Sequence, residues 1–322
     1  MHYDVFNGDA DGIIALLQLH LAQPRDSQLI TGVKRDIELL ANVDAQSGDT
    51  LTVLDISMAK NHQALCHVLN NGAHVFYADH HQSGDIPQHG QLEAHINLDA
   101  NVCTALIVDA LLDGQFHPWA ITAAYGDNLL SVADALAAKA GFSAEQAEQL
   151  KQLGTLINYN GYGQTVSDLH YHPADLFRAL QGYVSPFDVI ADAQSPYAVL
   201  KQAYEQDIAQ ALAKSPYYES DTLRVFELAD EAASHRVSGV YGNLLANQRP
   251  EQAHVVLTVA DEVHYTVSLR APLNNKQGAG TVCSQFATGG GREAAAGINR
   301  LPKSELMRFI DGVQAYYAAT NA

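Results

Sequence analysis

Residues 73–81 read AHVFYADHH, an apolar run with strand character that ends in an aspartate and two adjacent histidines. Polar groups are costly to bury, so such a triplet at the end of a core strand calls for a ligand or a partner. The run is one of four β-rich segments in the first part of the chain, with YDVF (3–6), LITGV (29–33) and LTVLD (51–55). Among them, DGIIALLQLHLA (11–22) and AKNHQALCHVLNNG (59–72) have helical spacing, the second closed by Gly72. Strands alternating with helices predict an α/β fold, with an N-terminal, largely parallel sheet flanked by helices.

Beyond the triplet the pattern turns helical from 103 to 160, and NYNGYGQ (158–164) reads as a loop. Residues 194–214 read as a helix leading to a second unit. That unit has strands near 222–228, 253–260 and 263–270, the last two forming a hairpin, and helices near 239–248, 280–287 and 303–319. The expected organisation is a first domain over 1–193, a helical linker over 194–221 and a smaller C-terminal α/β domain over 222–322.

A length of 322 residues leaves room for two domains, and 47% hydrophobic with 17% charged residues fits a globular protein. The net charge of −18 argues against long, sequence-independent nucleic-acid binding, which depends on phosphate neutralisation by Lys and Arg. The charge is uneven: 7 basic against 23 acidic residues through position 195, but 11 against 13 beyond it. An anionic ligand finds its attractive groups in the second part, unless the acids of the first part hold metal ions. No apolar run approaches the roughly 20 residues of a membrane helix, and the N-terminus lacks the basic-then-apolar order of a secretion signal. Cys66, Cys103 and Cys283 have no metal-binding spacing and read as buried thiols of a reduced compartment. The expected location is cytoplasmic.

Asp9 and Asp11 follow the first strand in FNGDADG, Asp55 follows LTVL, and Asp79, His80 and His81 follow the strand at 73–78. Ligands of open parallel sheets bind outside the carboxyl ends of the strands, so the three clusters should face one crevice. Asp127, in ITAAYGDN, sits in the helical region and could reach the crevice from the side. Carboxylates with imidazole and no thiolate suit Mn²⁺, Mg²⁺ or a similar ion. Aspartates so clustered repel one another without a cation, and two ions about 3.5–4 Å apart would relieve that and clamp a phosphorus centre. Taken singly, Asp9-Ala10-Asp11-Gly12 is as readily a turn with a helix cap, and Asp127 an ordinary helix residue. The order of all four motifs carries the inference.

In that order GDADG, VLDIS, ADHH and AYGD resemble the four motifs of the DHH phosphoesterase family. YTVSLRA (265–271) followed by GGGREAAAG (289–297) resembles the DHH-associated substrate-binding domain, so the likeness spans nearly the whole chain. The resemblance implies a metal-binding catalytic domain over 1–193 and a substrate-binding domain over 222–322. It implies two divalent cations, Mn²⁺ before Mg²⁺, with Asp55 bridging both, Asp9 on one, and Asp11, His80 and Asp127 on the other. His81 would lie beside the bridging water and the scissile phosphate as a donor or acid, and Asp79 would orient the histidines.

The chain departs from the family pattern in two places. Many members carry a histidine four residues before the first aspartate, where this chain has Val5; the RecJ-like branch has an aspartate two residues before it, where this chain has Asn7. The first metal thereby loses a strong ligand. Arg292 replaces the usual histidine after the glycine triplet. Gly289, Gly290 and Gly291 would let backbone amides approach a phosphate, with a helix expected to follow. Arg270 and Arg292 are the charged candidates for a substrate phosphate.

The family resemblance implies hydrolysis of a phosphoester. The acidic balance favours short oligonucleotides or small nucleotides, held by the second domain while the scissile phosphate sits on the metals. Cyclic dinucleotides, 3′,5′-bisphosphates and polyphosphate are the alternatives. A catalytically weak nucleotide-binding protein is the alternative of another class, motivated by Val5 and Asn7. The expected partner is a short nucleic acid or small nucleotide, with no membrane; a homodimer is left open.

Overall fold

The computed structural model describes residues 1–320. Strand β1 (His2–Phe6) leads into helix α1 (Ala10–Ala22), followed by β2 (Gln28–Ile30), β3 (Thr50–Leu54), α2 (Met58–Asn70), β4 (His74–Asp79) and β5 (Leu92–Ile96). These strands form one parallel sheet in the order β2-β1-β3-β4-β5. Leu51, Val53 and Leu54 of β3 are all buried, as expected where a parallel sheet is covered on both faces. Met58, Leu65, Val68 and Leu69 of α2 pack against Val53, Val75 and Tyr77 on one side. Helix α1 is buried almost all round from Ala10 to Leu17, which explains its nearly unbroken apolar sequence.

A helical layer follows: α3 (Thr104–Leu111), α4 (His117–Gly126), α5 (Leu130–Lys139), α6 (Ala144–Gly161), α7 (Pro173–Leu180) and α8 (Pro186–Ala191). Helices α3, α4 and α6 all pack on α1. Side chains are excluded where α4 meets α6: a Cβ on Gly154 would lie 2.1 Å from the Thr122 carbonyl oxygen, and one on Gly126 would lie 2.6 Å from Ala10 Cβ. This close approach brings the end of α4, and Asp127 after it, against the start of α1.

Helix α9 (Pro196–Leu212) contains the division between the two compact units, Met1–Gln202 and Ala203–Ala322, which thus falls inside the predicted linker helix. The second unit contains β6 (Tyr218–Glu219), β7 (Leu223–Leu228), α10 (Ala232–Gln248), β8 (Ala253–Val259), β9 (His264–Arg270), α11 (Ala279–Cys283), β10 (Gly289–Gly291), β11 (Ala295–Pro302) and α12 (Leu306–Thr320). Its mixed sheet runs β10-β11-β9-β8-β7-β6, with β7 and β8 parallel and the other pairs antiparallel. Val255, Leu257, Val267 and Leu269 of this sheet form a core with Phe309, Ile310 and Val313 of α12.

The structure corrects several sequence readings. Residues 158–161 are the last turn of α6 rather than a loop. Asn160 holds them there by exchanging two hydrogen bonds with the Tyr171 backbone, a tertiary contact that overrides weak helix propensity. Strand β5 was not anticipated, and α10 begins at Ala232 instead of near 239. The hairpin of β8 and β9 is as expected. Cys103 and Cys283 are buried free thiols, whereas Cys66 is only half-buried.

Candidate metal centre

In a sheet of this order the chain reverses its direction of travel between β1 and β3, which opens a crevice at the carboxyl ends of those strands. Asp9 and Asp11 follow β1 and Asp55 follows β3, one group on each side of that point. Asp9 caps α1: its Oδ1 accepts from the backbone N–H of Asp11 at 3.0 Å and of Gly12 at 3.1 Å. Asp11 does the same for a different helix, its Oδ2 accepting from Thr104 N–H and its Oδ1 from Ala105 N–H, each at 2.7 Å. The positive end of α3 thereby fixes a carboxylate that belongs to α1. Asp55 has a φ of 58°, a left-handed conformation that costs a residue with a Cβ on the order of 1–3 kcal/mol. Thr104 Oγ1 donates to Asp55 Oδ1 at 3.1 Å.

The histidines have defined orientations. His80 donates from Nδ1 to the Val102 carbonyl at 2.7 Å, which turns Nε2 toward Asp55 Oδ1 at 3.3 Å and Asp11 Oδ2 at 3.6 Å. His80 Nε2 thus faces two carboxylate oxygens, a donor set that a cation between them would complete. His81 donates from Nδ1 to Asp79 Oδ1 at 2.7 Å and lies 3.7 Å from Asp55 Oδ1. Its side chain is 32% exposed, so the far side of the ring is open to a ligand. Asp79 is fully buried, and its second oxygen has no hydrogen-bond partner. Ligand atoms of Asp55, His80 and His81 lie within 4.8 Å of one another.

Burial pushes the Asp55 carboxyl well above the ordinary carboxylate range, and the charges of Asp11, Asp9, Asp79 and Asp127 push the same way. Without a cation this carboxylate is disfavoured; with one it becomes a ligand. Asp11 Oδ2 and Asp55 Oδ1, both facing His80 Nε2, therefore offer a divalent ion buried oxygen and imidazole nitrogen donors.

The other end of the cluster already holds a charge. Lys34, in the segment after β2, forms a close ion pair with Asp9 Oδ2 and donates to Asn158 Oδ1 at 3.2 Å. Its Nζ lies 3.9 Å from Asp127 Oδ1 and 5.5 Å from the centre of the Tyr162 ring. Burial opposes ionisation of Asp9, but the Lys34 ammonium outweighs it and keeps the carboxyl below its ordinary range. The same carboxylate, with Tyr162 and Asp127, raises Lys34 against the opposing effect of burial. Asp127 thus faces Asp9 across Lys34, where the family resemblance grouped it with Asp11 and His80. Lys34 was missed in the sequence. The available signal was a lysine just past a predicted strand in a region with only 7 basic residues. Tyr159, in the last turn of α6, is buried, and its hydroxyl meets His170 Nε2 at 2.9 Å.

In the second unit Arg270 ends β9, half-buried, and its guanidinium is engaged locally: Nε with Asn243 Oδ1 at 2.5 Å, Nη1 with Ser268 Oγ at 2.9 Å, and Nη2 with the Gly239 carbonyl at 3.3 Å. The glycine triplet is strand β10, paired with β11, and no helix follows it; the expected helix N-terminus is absent from this position. Its geometry explains two of the three glycines. A Cβ on Gly289 would meet the Cys283 carbonyl oxygen at 1.9 Å, and Gly291 has a φ of 137° with Ala296 behind it. Gly290 faces open space. Arg292 stands in the turn between the strands, its N–H donating to the Ala295 carbonyl at 3.0 Å.

No family model matches the chain, and no curated protein matches it in sequence. Solved structures do share its fold. The pGpG-specific phosphodiesterase PggH of Vibrio cholerae aligns with a TM-score of 0.54 and 15% identity over 98% of this chain and 99% of its own. RecJ of Thermus thermophilus, solved in complex with Mn²⁺, aligns with a TM-score of 0.54 and 15% identity over 99% of this chain but 52% of its own. An exopolyphosphatase-related protein of Bacteroides fragilis aligns with a TM-score of 0.53 and 12% identity over 100% of this chain and 93% of its own. At these identities the likeness is one of fold, and it bears out the fold expected from the DHH resemblance. No described helix is long and apolar enough to cross a membrane.

Proposed function

We propose that this chain is a divalent-metal-dependent phosphoesterase of the DHH type, acting on short oligonucleotides or small nucleotides. The observation that carries the reading is the buried meeting of Asp11, Asp55 and His80, with His80 Nε2 turned onto two carboxylates. Those three residues would hold the ion, preferably Mn²⁺. When bound, it supplies Lewis acidity at a phosphoryl oxygen and a lowered pKa for water.

The chain's own residues account for the rest. Hydrolysis joins a water oxygen to phosphorus and breaks a P–O ester bond, and the departing oxygen must take a proton. His81, whose Nδ1–H is held by Asp79, would as the imidazolium carry that proton on Nε2 and pass it to the departing oxygen. Thr104 and the start of α3 keep Asp55 and Asp11 in place. Taken by itself, the second unit has at Gly290, with its open approach, and at the neighbouring Arg292 features that suit a phosphate group. The likeness in fold to a pGpG phosphodiesterase and to an Mn²⁺-bound RecJ supports this substrate class.

The test is Mn²⁺-dependent hydrolysis of 5′-phosphorylated dinucleotides, pGpG among them, followed by chromatography with EDTA as control. Mononucleotide release that stops in EDTA is expected. No release from dinucleotides, with release from bisphosphates, cyclic dinucleotides or polyphosphate, would move the substrate within the phosphoester class. Lys34 among the carboxylates favours one second reading, a nucleotide-binding protein with weak catalysis. Tight dinucleotide binding that survives EDTA, with no turnover, would select it.

A further inference from the structure

We infer that Lys34 is a resident cation of the centre, standing in for one of two divalent ions, so that this chain binds a single metal ion. The inference rests on the metal-dependent reading above and concerns which half of the centre is open to metal.

Three observations converge. Asp9 Oδ2 is already paired with the Lys34 ammonium, a fixed positive charge, whereas the Asp11 oxygens accept only from backbone N–H groups of Thr104 and Ala105. Lys34 is built in: its side chain is only 25% exposed, and Asp9, Asn158, Asp127 and the Tyr162 ring surround its Nζ. Its backbone is fixed as well, the N–H donating to the Gly161 carbonyl at 2.8 Å and the carbonyl accepting from Asn7 Nδ2 at 3.2 Å.

The two positions that depart from the family pattern fall into place around that lysine. Asn7 uses its amide nitrogen to hold the Lys34 segment and its Oδ1 to accept the Asp9 N–H at 3.2 Å, so it serves the lysine instead of a metal. Val5 is a fully buried core residue with no donor atom to offer. An ion entering beside Asp9 would meet a fixed positive charge on the oxygen it needs. The Asp11–Asp55–His80 end has no comparable cation: among the described residues no lysine or arginine forms an ion pair with Asp11 or Asp55. One half is therefore closed by the protein and the other is left for metal.

The test counts ions. The full chain is saturated with Mn²⁺, freed of excess by gel filtration, and analysed by atomic emission and by electron paramagnetic resonance. The wild type should carry one equivalent with the six-line signal of an isolated Mn²⁺. Lys34→Met, which keeps the side-chain length and removes the charge, should admit a second equivalent and a spin-coupled signal. Two equivalents or a coupled pair in the wild type overturn the inference while leaving the metal reading intact. A folded Lys34→Met protein that still holds one ion also overturns it. No ion in the wild type overturns the metal reading and this inference together. Should the variant not fold, the wild-type count decides alone.

Discussion

Asp55 and Arg270 each stand at the end of a strand, one in each unit, and their surroundings are opposite. Arg270 is matched by its neighbours: an asparagine, a serine and backbone carbonyls take up its donors. Asp55 is opposed by its neighbours: four carboxylates raise its pKa, and Thr104 donates a hydroxyl to an oxygen that also faces His80 Nε2 at 3.3 Å. A polar group whose partners the protein supplies belongs to the framework. A buried one whose neighbours share its sign belongs to a site that something else completes. Arg270 thus ties β9 to α10, while the carboxylate opposed by its neighbours lies in the first unit.

The largest effect expected from this contrast is at Asp55. Asp55→Asn should lower hydrolysis by about 10³-fold, the scale of several kcal/mol of charge stabilisation. It should also raise Tm in EDTA by about 2–4 °C, roughly 1 kcal/mol of relieved repulsion. A fall in both quantities would place Asp55 in the framework and break the comparison. Next, His81→Gln should lower kcat by about 10²-fold with metal content unchanged; loss of metal instead would make His81 a ligand.

Acid stability sharpens the picture of the second unit. His254 in β8 is fully buried, and burial with the nearby Arg224 lowers its pKa to about 4 against the raising effect of the Gln252 backbone. Its folded value lies below its unfolded value near 6.5, so folding favours the neutral ring. The associated stability is complete above about 6.5 and is lost as pH falls toward about 4, up to roughly 3 kcal/mol. His254→Phe should flatten that limb of a urea-melting series against pH. An unchanged limb would mean that His254 finds a partner when charged.

The smallest effect is expected at the arginines. Arg292→Ala should raise KM by up to about tenfold with kcat and Tm unchanged, as for uniform binding. Arg270→Ala should instead lower stability by roughly 1–3 kcal/mol, because it strips partners from Asn243 and Ser268. The reverse pattern would exchange their roles.

The parallel sheet and the aspartates at its strand ends were legible because both follow from local order: apolar runs, then carboxylates. The hairpin at Asp261 was legible for the same reason. The lysine facing Asp9 was not, since the contact depends on where the segment after β2 packs, 25 residues from Asp9 in sequence. The helix expected after the glycine triplet is absent because glycine signals close approach without saying to what. Here the close neighbours of Gly289 and Gly291 are Cys283 and Ala296, both within the protein. Asp127 was legible as acidic and near, but its pairing across Lys34 needed the close contact of Gly126 with Ala10.

The left-handed backbone at Asp55 has a consequence for descent. Glycine or asparagine would occupy that conformation more readily and would remove a buried charge. A duplicate of this chain released from its chemistry would therefore drift away from aspartate at that position early, because stability favours the change. An aspartate kept in that geometry is what a working metal site would require of this position.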